Sequence, residues 1–181
     1  FWAEDSATLL YMQDDKGDEN FHLFAIDATT DGATARDLTP FPGAKAQNVI
    51  TNKRFPKELL VAVNNRDASQ FDMYRCELAT GELTLDTENP GDVVGWGSED
   101  SSFEVREALA INPADSSKIV RVRDTKDAPW RELITFPYGE EGGMIDFSAD
   151  CKSVLATSSL GRDTTALLRL DVQTGETLET I

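Results

Sequence analysis

One short unit recurs along the chain and restricts its fold more than any other feature. Residues 9–27 read LLYMQDDKGDENFHLFAID: two alternating apolar and polar runs, 9–13 and 21–26, flank the polar loop Asp14-Asp15-Lys16-Gly17-Asp18-Glu19-Asn20. A period of two places alternate side chains on opposite faces of a strand, so the stretch reads as a β-hairpin. A third strand-like run follows at residues 35–39. The unit returns at residues 59–77 (LLVAVNNRDASQFDMYRCE) and 154–171 (VLATSSLGRDTTALLRLD). Each copy has a polar centre that loses hydrogen bonds to water if buried.

The connections support the repeat. Pro40-Phe41-Pro42-Gly43 ends pairing after the first unit, because proline lacks the N–H that a ladder needs. Ala79-Thr80-Gly81-Glu82 matches Gln173-Thr174-Gly175-Glu176, with glycine where a tight connection demands positive φ. The third unit is less regular. Residues 104–111 read as an entry strand or a short helix, residues 119–123 with 130–134 as the hairpin, and Gly95-Trp96-Gly97-Ser98 as part of a longer loop. On this reading the hairpins start at Leu9, Leu59, Ile119 and Val154, at intervals of 50, 60 and 35 residues. That spacing fits four-stranded blades with loop insertions, and little of the chain reads as amphipathic helix. The expected fold is all-β: a partial β-propeller of about four blades of four-stranded antiparallel sheets, at residues 1–43, 44–91, 92–142 and 143–181. The chain is expected to be part of a longer polypeptide, with end blades exposing Leu9, Tyr11, Leu155 and Leu168 and aggregating when expressed alone.

Composition narrows the function. With 33 acidic and 17 basic residues and a net charge of -16, the surface repels nucleic acid and anionic lipid, so neither is an expected partner. No apolar run approaches the roughly 20 residues of a membrane-spanning helix. Cys76 and Cys151 lie in different repeats and read as free thiols. With no Asn-x-Ser/Thr sequon, they lean towards a reducing, cytoplasmic compartment.

The runs LLYMQDDKGDENFHLFAID…RDLTPFPG, NNRDASQFDMYRCELATGEL and LGRDTTALLRLDVQTGE together resemble the N-terminal propeller of prolyl oligopeptidase family serine peptidases. The likeness is to acylaminoacyl-peptidase and dipeptidyl-aminopeptidase-like members. It covers nearly the whole chain, least clearly residues 93–142. It implies a non-catalytic, substrate-gating module, with a C-terminal α/β-hydrolase domain of the same polypeptide and a peptide substrate as its partners. The triad is not expected here: Gly95-Trp96-Gly97-Ser98-Glu99-Asp100 lacks the Gly-x-Ser-x-Gly spacing of a nucleophile elbow. The alternatives are a protein-binding scaffold with no hydrolase domain, and a propeller enzyme using carboxylates and a metal in its channel.

Individual residues carry less. His22, the only histidine, reads as a structural or rim residue, because a triad or zinc site needs further groups beside it. The oxygen-rich run at 14–20 departs from the calcium-loop pattern, with Lys16 interrupting it, and reads as a solvated loop. No catalytic, cofactor or metal residue is assigned, and no cofactor is expected. Asp18, Glu19, His22 and Trp96 are the candidates for rim or substrate contact. Arg66-Asp67 and Arg162-Asp163 read as ion pairs within equivalent loops, and Trp2, Trp96 and Trp130 as packing between blades.

Overall fold

A computed structural model describes all residues, Phe1–Ile181. The fold is all-β, a partial β-propeller of about four blades. The chain divides into two compact units, Phe1–Gly91 and Asp92–Ile181, each holding two antiparallel sheets. In the first unit, β1 (Thr8–Gln13), β2 (His22–Asp27) and β3 (Arg36–Asp37) form one blade, and β4 (Ala46–Thr51), β5 (Glu58–Asp67), β6 (Gln70–Glu77) and β7 (Leu83–Thr87) the next. The first blade has a vestigial inner strand: Trp2 bridges Leu9, and Phe1 and Leu10 exchange backbone hydrogen bonds of 2.8 and 3.0 Å. In the second unit, β8 (Val93–Ser98), β9 (Val105–Ile111), β10 (Lys118–Val122) and β11 (Arg131–Phe136) precede β12 (Gly142–Phe147), β13 (Ser153–Ser158), β14 (Ala166–Asp171) and β15 (Thr177–Thr180). No helix is long and apolar enough to cross a membrane.

The third blade corrects the sequence reading. Gly95-Trp96-Gly97-Ser98 belongs to strand β8 and is not a loop; residues 105–111 are the second strand and contain no helix; and the hairpin at 119–134 supplies the third and fourth strands. The second strands therefore begin at Thr8, Glu58, Val105 and Ser153, so the blades recur at 50, 47 and 48 residues, more evenly than expected. The glycines mark close approach. A Cβ on Gly97 would lie 2.1 Å from the Glu107 carboxylate on the paired strand, so glycine is what lets that side chain cross β8.

Within each unit the blades pack through alternate residues. In the first, Leu10, Leu23 and Leu38 meet Leu59, Val61, Val63, Cys76 and Leu78. In the second, Val120, Val122 and Phe136 meet Val154, Ala156, Leu168 and Leu170. Leu168, expected on an exposed face, is thus buried, because its strand register turns it towards the preceding blade; Leu9, Tyr11 and Leu155 are half-buried. Cys76 is buried and Cys151 half-buried, both as free thiols.

A polar latch accompanies each of these interfaces. Arg36, on the outer strand of the first blade, donates to the carbonyls of Leu78 and, at 2.9 Å, Ala79 in the following blade. Arg131, on the outer strand of the third blade, donates to the carbonyls of Val172 at 2.5 Å and Gln173 at 3.5 Å. Both acceptor pairs open the matching Thr-Gly-Glu turns. Gly81 and Gly175 have φ of 74° and 72°, and a Cβ on Gly175 would stand 2.2 Å from the Leu133 carbonyl oxygen of the neighbouring blade. Gly161 shares the positive φ (67°) but has open space around it. Gly175→Ala should therefore destabilise by about 3 kcal/mol and Gly161→Ala by about 1 kcal/mol, as read from denaturation midpoints; equal costs would refute the close inter-blade approach.

Candidate functional site

The hairpin loop between β1 and β2 is held by its own carboxylates. Asp14 accepts the Glu19 backbone N–H at 3.2 Å, and Asp18 accepts those of Asn20 at 3.0 Å and Asp15 at 3.3 Å. Asp18 also accepts the Asn20 side-chain amide at 3.1 Å. The Asn20 backbone N–H leads the hydrogen bonds that keep the Asp18 carboxyl below its ordinary range. The loop walls a cleft of about 430 Å³ whose lining includes Asp14, Asp18, His22, Phe24 and Asp37.

His22 opens β2, and its Nδ1 lies 2.7 Å from Asp37 on β3. A carboxylate can only accept, so Nδ1 carries the proton. The other Asp37 oxygen accepts the Thr39 N–H at 2.9 Å, and the Thr39 hydroxyl accepts the Leu23 N–H at 2.9 Å. The ring is thereby tied to the blade edge. Beside it, Phe24 stacks on Tyr11 with centroids 5.4 Å apart. The cleft combines carboxylate oxygens, an aromatic wall and an oriented imidazole, a set that can receive a cationic or hydrogen-bond-donating group. No group of three or more His, Cys, Asp and Glu side chains converges to hold a metal ion.

Of the four candidates, the structure brings Asp18 and His22 together. Glu19 is exposed on the same loop and does not line the cleft. Trp96 lies in the other unit, buried, with its ring 6.0 Å from that of Trp130; both belong to the third blade, so they pack within a blade. Trp2 is 56% exposed. The Arg66-Asp67 expectation is also corrected. Arg66 grips the buried Asp72 with two bonds of 2.8 and 2.9 Å, while Asp67 accepts from Ser69. Asp72 lies on the neighbouring strand, where alternation alone does not mark it as a partner. Arg162 reaches the Thr180 hydroxyl at 3.2 Å.

Two carboxyls in the second unit escaped notice. Glu99, nearly fully buried, accepts the backbone N–H and hydroxyl groups of Ser101 and Ser102. Burial alone would raise its pKa, but these bonds hold it at about 2. The Glu-x-Ser-Ser spacing is the legible trace of this turn. Glu107, lying against Gly97, is pushed up to about 7 by burial and by the charge of Asp146. An unfolded chain releases this proton near the usual 4.5, whereas the folded chain keeps it to about 7, so the folded state loses stability as pH rises across that window. Glu107→Gln should flatten the fall in melting temperature between about pH 5 and about pH 8; an unchanged slope would show that Glu107 titrates normally.

No family model matches the chain. Its sequence is 35% identical to dipeptidyl aminopeptidase BIII of Pseudoxanthomonas mexicana over 97% of its length, spanning 25% of that relative. The chain is homologous to the propellers of prolyl oligopeptidase family peptidases. The alignment extends through the third blade as well. In fold, the chain resembles prolyl oligopeptidase B of Galerina marginata, with a TM-score of 0.63, 13% identity, and coverage of 98% of this chain and 25% of that one. It resembles a putative TolB of Agrobacterium tumefaciens as well, with a TM-score of 0.63, 15% identity, and coverage of 97% and 58%. The fold is thus shared beyond proteins named as peptidases, and the specific link is the sequence identity. The chain spans about a quarter of its curated relative.

Proposed function

We propose that the chain is a non-catalytic, substrate-gating propeller segment of a prolyl oligopeptidase-type serine peptidase that hydrolyses peptides near their amino terminus. The observation that carries this reading is the 35% identity to a dipeptidyl aminopeptidase along nearly the whole chain. On this reading the nucleophile and its partners belong to an α/β-hydrolase domain C-terminal in the same polypeptide. The sole histidine of this segment is bound instead to Asp37. Gating acts by exclusion: rigid, closely packed sheets leave a passage that admits short flexible peptides and rejects folded chains.

The full-length protein provides the test. A fluorophosphonate should label its C-terminal domain, and it should release amino-terminal dipeptides from short peptides while leaving a folded protein uncut. Full-length protein with neither labelling nor peptide turnover would overturn the proposal in favour of a binding scaffold.

Within this reading, Asp18 and His22 are positioned to contact peptide. Asp18 is the more informative, because it is exposed and its carboxylate is held in place by the loop. Asp18→Asn should raise KM for peptides with a free amino terminus about threefold with kcat unchanged, as expected for an exposed charge contact. An unchanged KM would remove Asp18 from the substrate path.

A further inference from the structure

In each blade a tight turn carries the chain from the first strand into the second, and in three of the blades that turn is built on carboxylates. The turns read Glu4-Asp5-Ser6-Ala7 in the first blade, Glu99-Asp100-Ser101-Ser102 in the third and Ser148-Ala149-Asp150-Cys151 in the fourth. Asp5 accepts the N–H groups of Ala7 at 2.9 Å and Thr8 at 2.8 Å, Glu99 that of Ser101 at 2.8 Å, and Asp150 that of Lys152 at 3.2 Å. The second blade departs from this. Its turn between β4 and β5 reads Asn52-Lys53-Arg54-Phe55-Pro56-Lys57, without a carboxylate. The buried Asn52 takes the same part with its amide oxygen, which accepts the Arg54 N–H at 2.9 Å. The backbone then closes through the Phe55 N–H on the Asn52 carbonyl at 2.9 Å and the Glu58 N–H on the Phe55 carbonyl at 3.2 Å. An amide and the main chain thus complete the turn, and none of its hydrogen bonds needs a cationic side chain.

Three cations nevertheless stand there. Lys53, Arg54 and Lys57 are exposed and enter no ion pair, in a chain where 33 acidic residues face 17 basic ones. Arg66, Arg75 and Arg121, by contrast, are each held by a carboxylate within 3.1 Å. Between Arg54 and Lys57, the half-buried Phe55 and Pro56 line a depression of about 470 Å³. Glu58 and Glu77 line it too, but Glu58 is paired with Arg75 at 3.2 Å and Glu77 accepts the Thr80 hydroxyl at 3.1 Å. The depression shares no residue with the β1–β2 cleft.

We propose that this turn is a binding site for a short acidic segment of a partner protein, which sets an apolar side chain against Phe55 and Pro56 and its carboxylates beside Arg54 and Lys57. Charge decides the occupant. Screening confines a surface charge to about 8 Å at physiological ionic strength, so a short segment meets only the local cations. A nucleic acid or an anionic membrane also meets the carboxylates that leave the chain at -16, and is repelled. The arginine fork can take a carboxylate through two parallel bonds, while each lysine adds a point charge on a flexible stem. The proposal needs no hydrolase domain and uses none of the residues assigned to substrate contact. Its failure is therefore distinguishable from failure of the peptidase reading.

Fluorescence anisotropy of a labelled acetyl-Glu-Asp-Leu-Glu-Asp peptide tests it on the full-length protein, treated with a fluorophosphonate so that turnover cannot consume the probe. The peptide should bind and its Lys-Lys-Leu-Lys-Lys counterpart should not. Affinity should fall at least about tenfold when Arg54→Glu is combined with Lys57→Glu, and stay within about threefold when Arg54→Lys is combined with Lys57→Arg. Raising salt from about 50 mM to about 500 mM should weaken binding to the unaltered protein by a similar factor, a reading that relies on no variant. Absence of binding, equal affinity for the two peptides, or unchanged affinity after charge reversal would overturn the proposal. So would tighter binding of phosphatidylserine vesicles or of an oligonucleotide of matched charge.

Discussion

The architecture depends on one constraint: a four-stranded sheet of this kind cannot bury both faces by itself. Each blade presents apolar residues at alternate positions of its central strands, and those positions become core only when a neighbour covers them. The register shows how strictly this is observed. Leu59 and Val154, one residue into the second strands of their blades, are both fully buried. A slip of one residue would turn every such side chain to the opposite face. The blade, not the strand, is thus the unit that the pattern of side chains defines.

Apolar contact alone does not dictate which edge of a blade meets which. The arginine latch adds that information. Arg36 and Arg131 each span from an outer strand to a pair of backbone carbonyls in the next blade, acceptors that exist at one place in the turn and in one orientation. Glycine completes the arrangement, because Gly175 brings its turn against the Leu133 carbonyl, where no side chain could fit. Packing supplies most of the stabilisation, while the latch selects the alignment in which packing is complete.

Much of this was legible in the chain and some was not, for identifiable reasons. Alternation located the hairpins of the first, second and fourth blades, and the two Thr-Gly-Glu turns marked equivalent points. The third blade misled because Gly95 and Gly97 look like loop residues when the neighbouring strand is unknown; only the Glu107 side chain lying over Gly97 explains them. Trp96 suffered the same misreading, being placed on a connection when it lies buried in a strand. At the cleft, Asp18 and His22 could be nominated from residue type, but the Asp37 partner of His22 sits 15 residues away on the outer strand. The Arg66–Asp72 pair likewise depends on strand pairing that adjacency in sequence does not reveal.

The acidity of the chain follows from the same architecture. Fifteen strands require many tight connections, and aspartate is well suited to them because its carboxylate accepts the N–H two residues on. Asp5, Asp18, Asp27, Asp37, Asp67, Asp115, Asp150 and Asp171 all do so, to Ala7, Asn20, Thr29, Thr39, Ser69, Ser117, Lys152 and Gln173. In Asp27 the Thr29 hydroxyl leads several hydrogen bonds that bring the pKa to about 2. Eight of the 33 acidic residues are therefore engaged in turn chemistry, which by itself carries no message about a ligand. What separates the β1–β2 cleft from these turns is the company its carboxylates keep: an imidazole held by Asp37 and an aromatic pair.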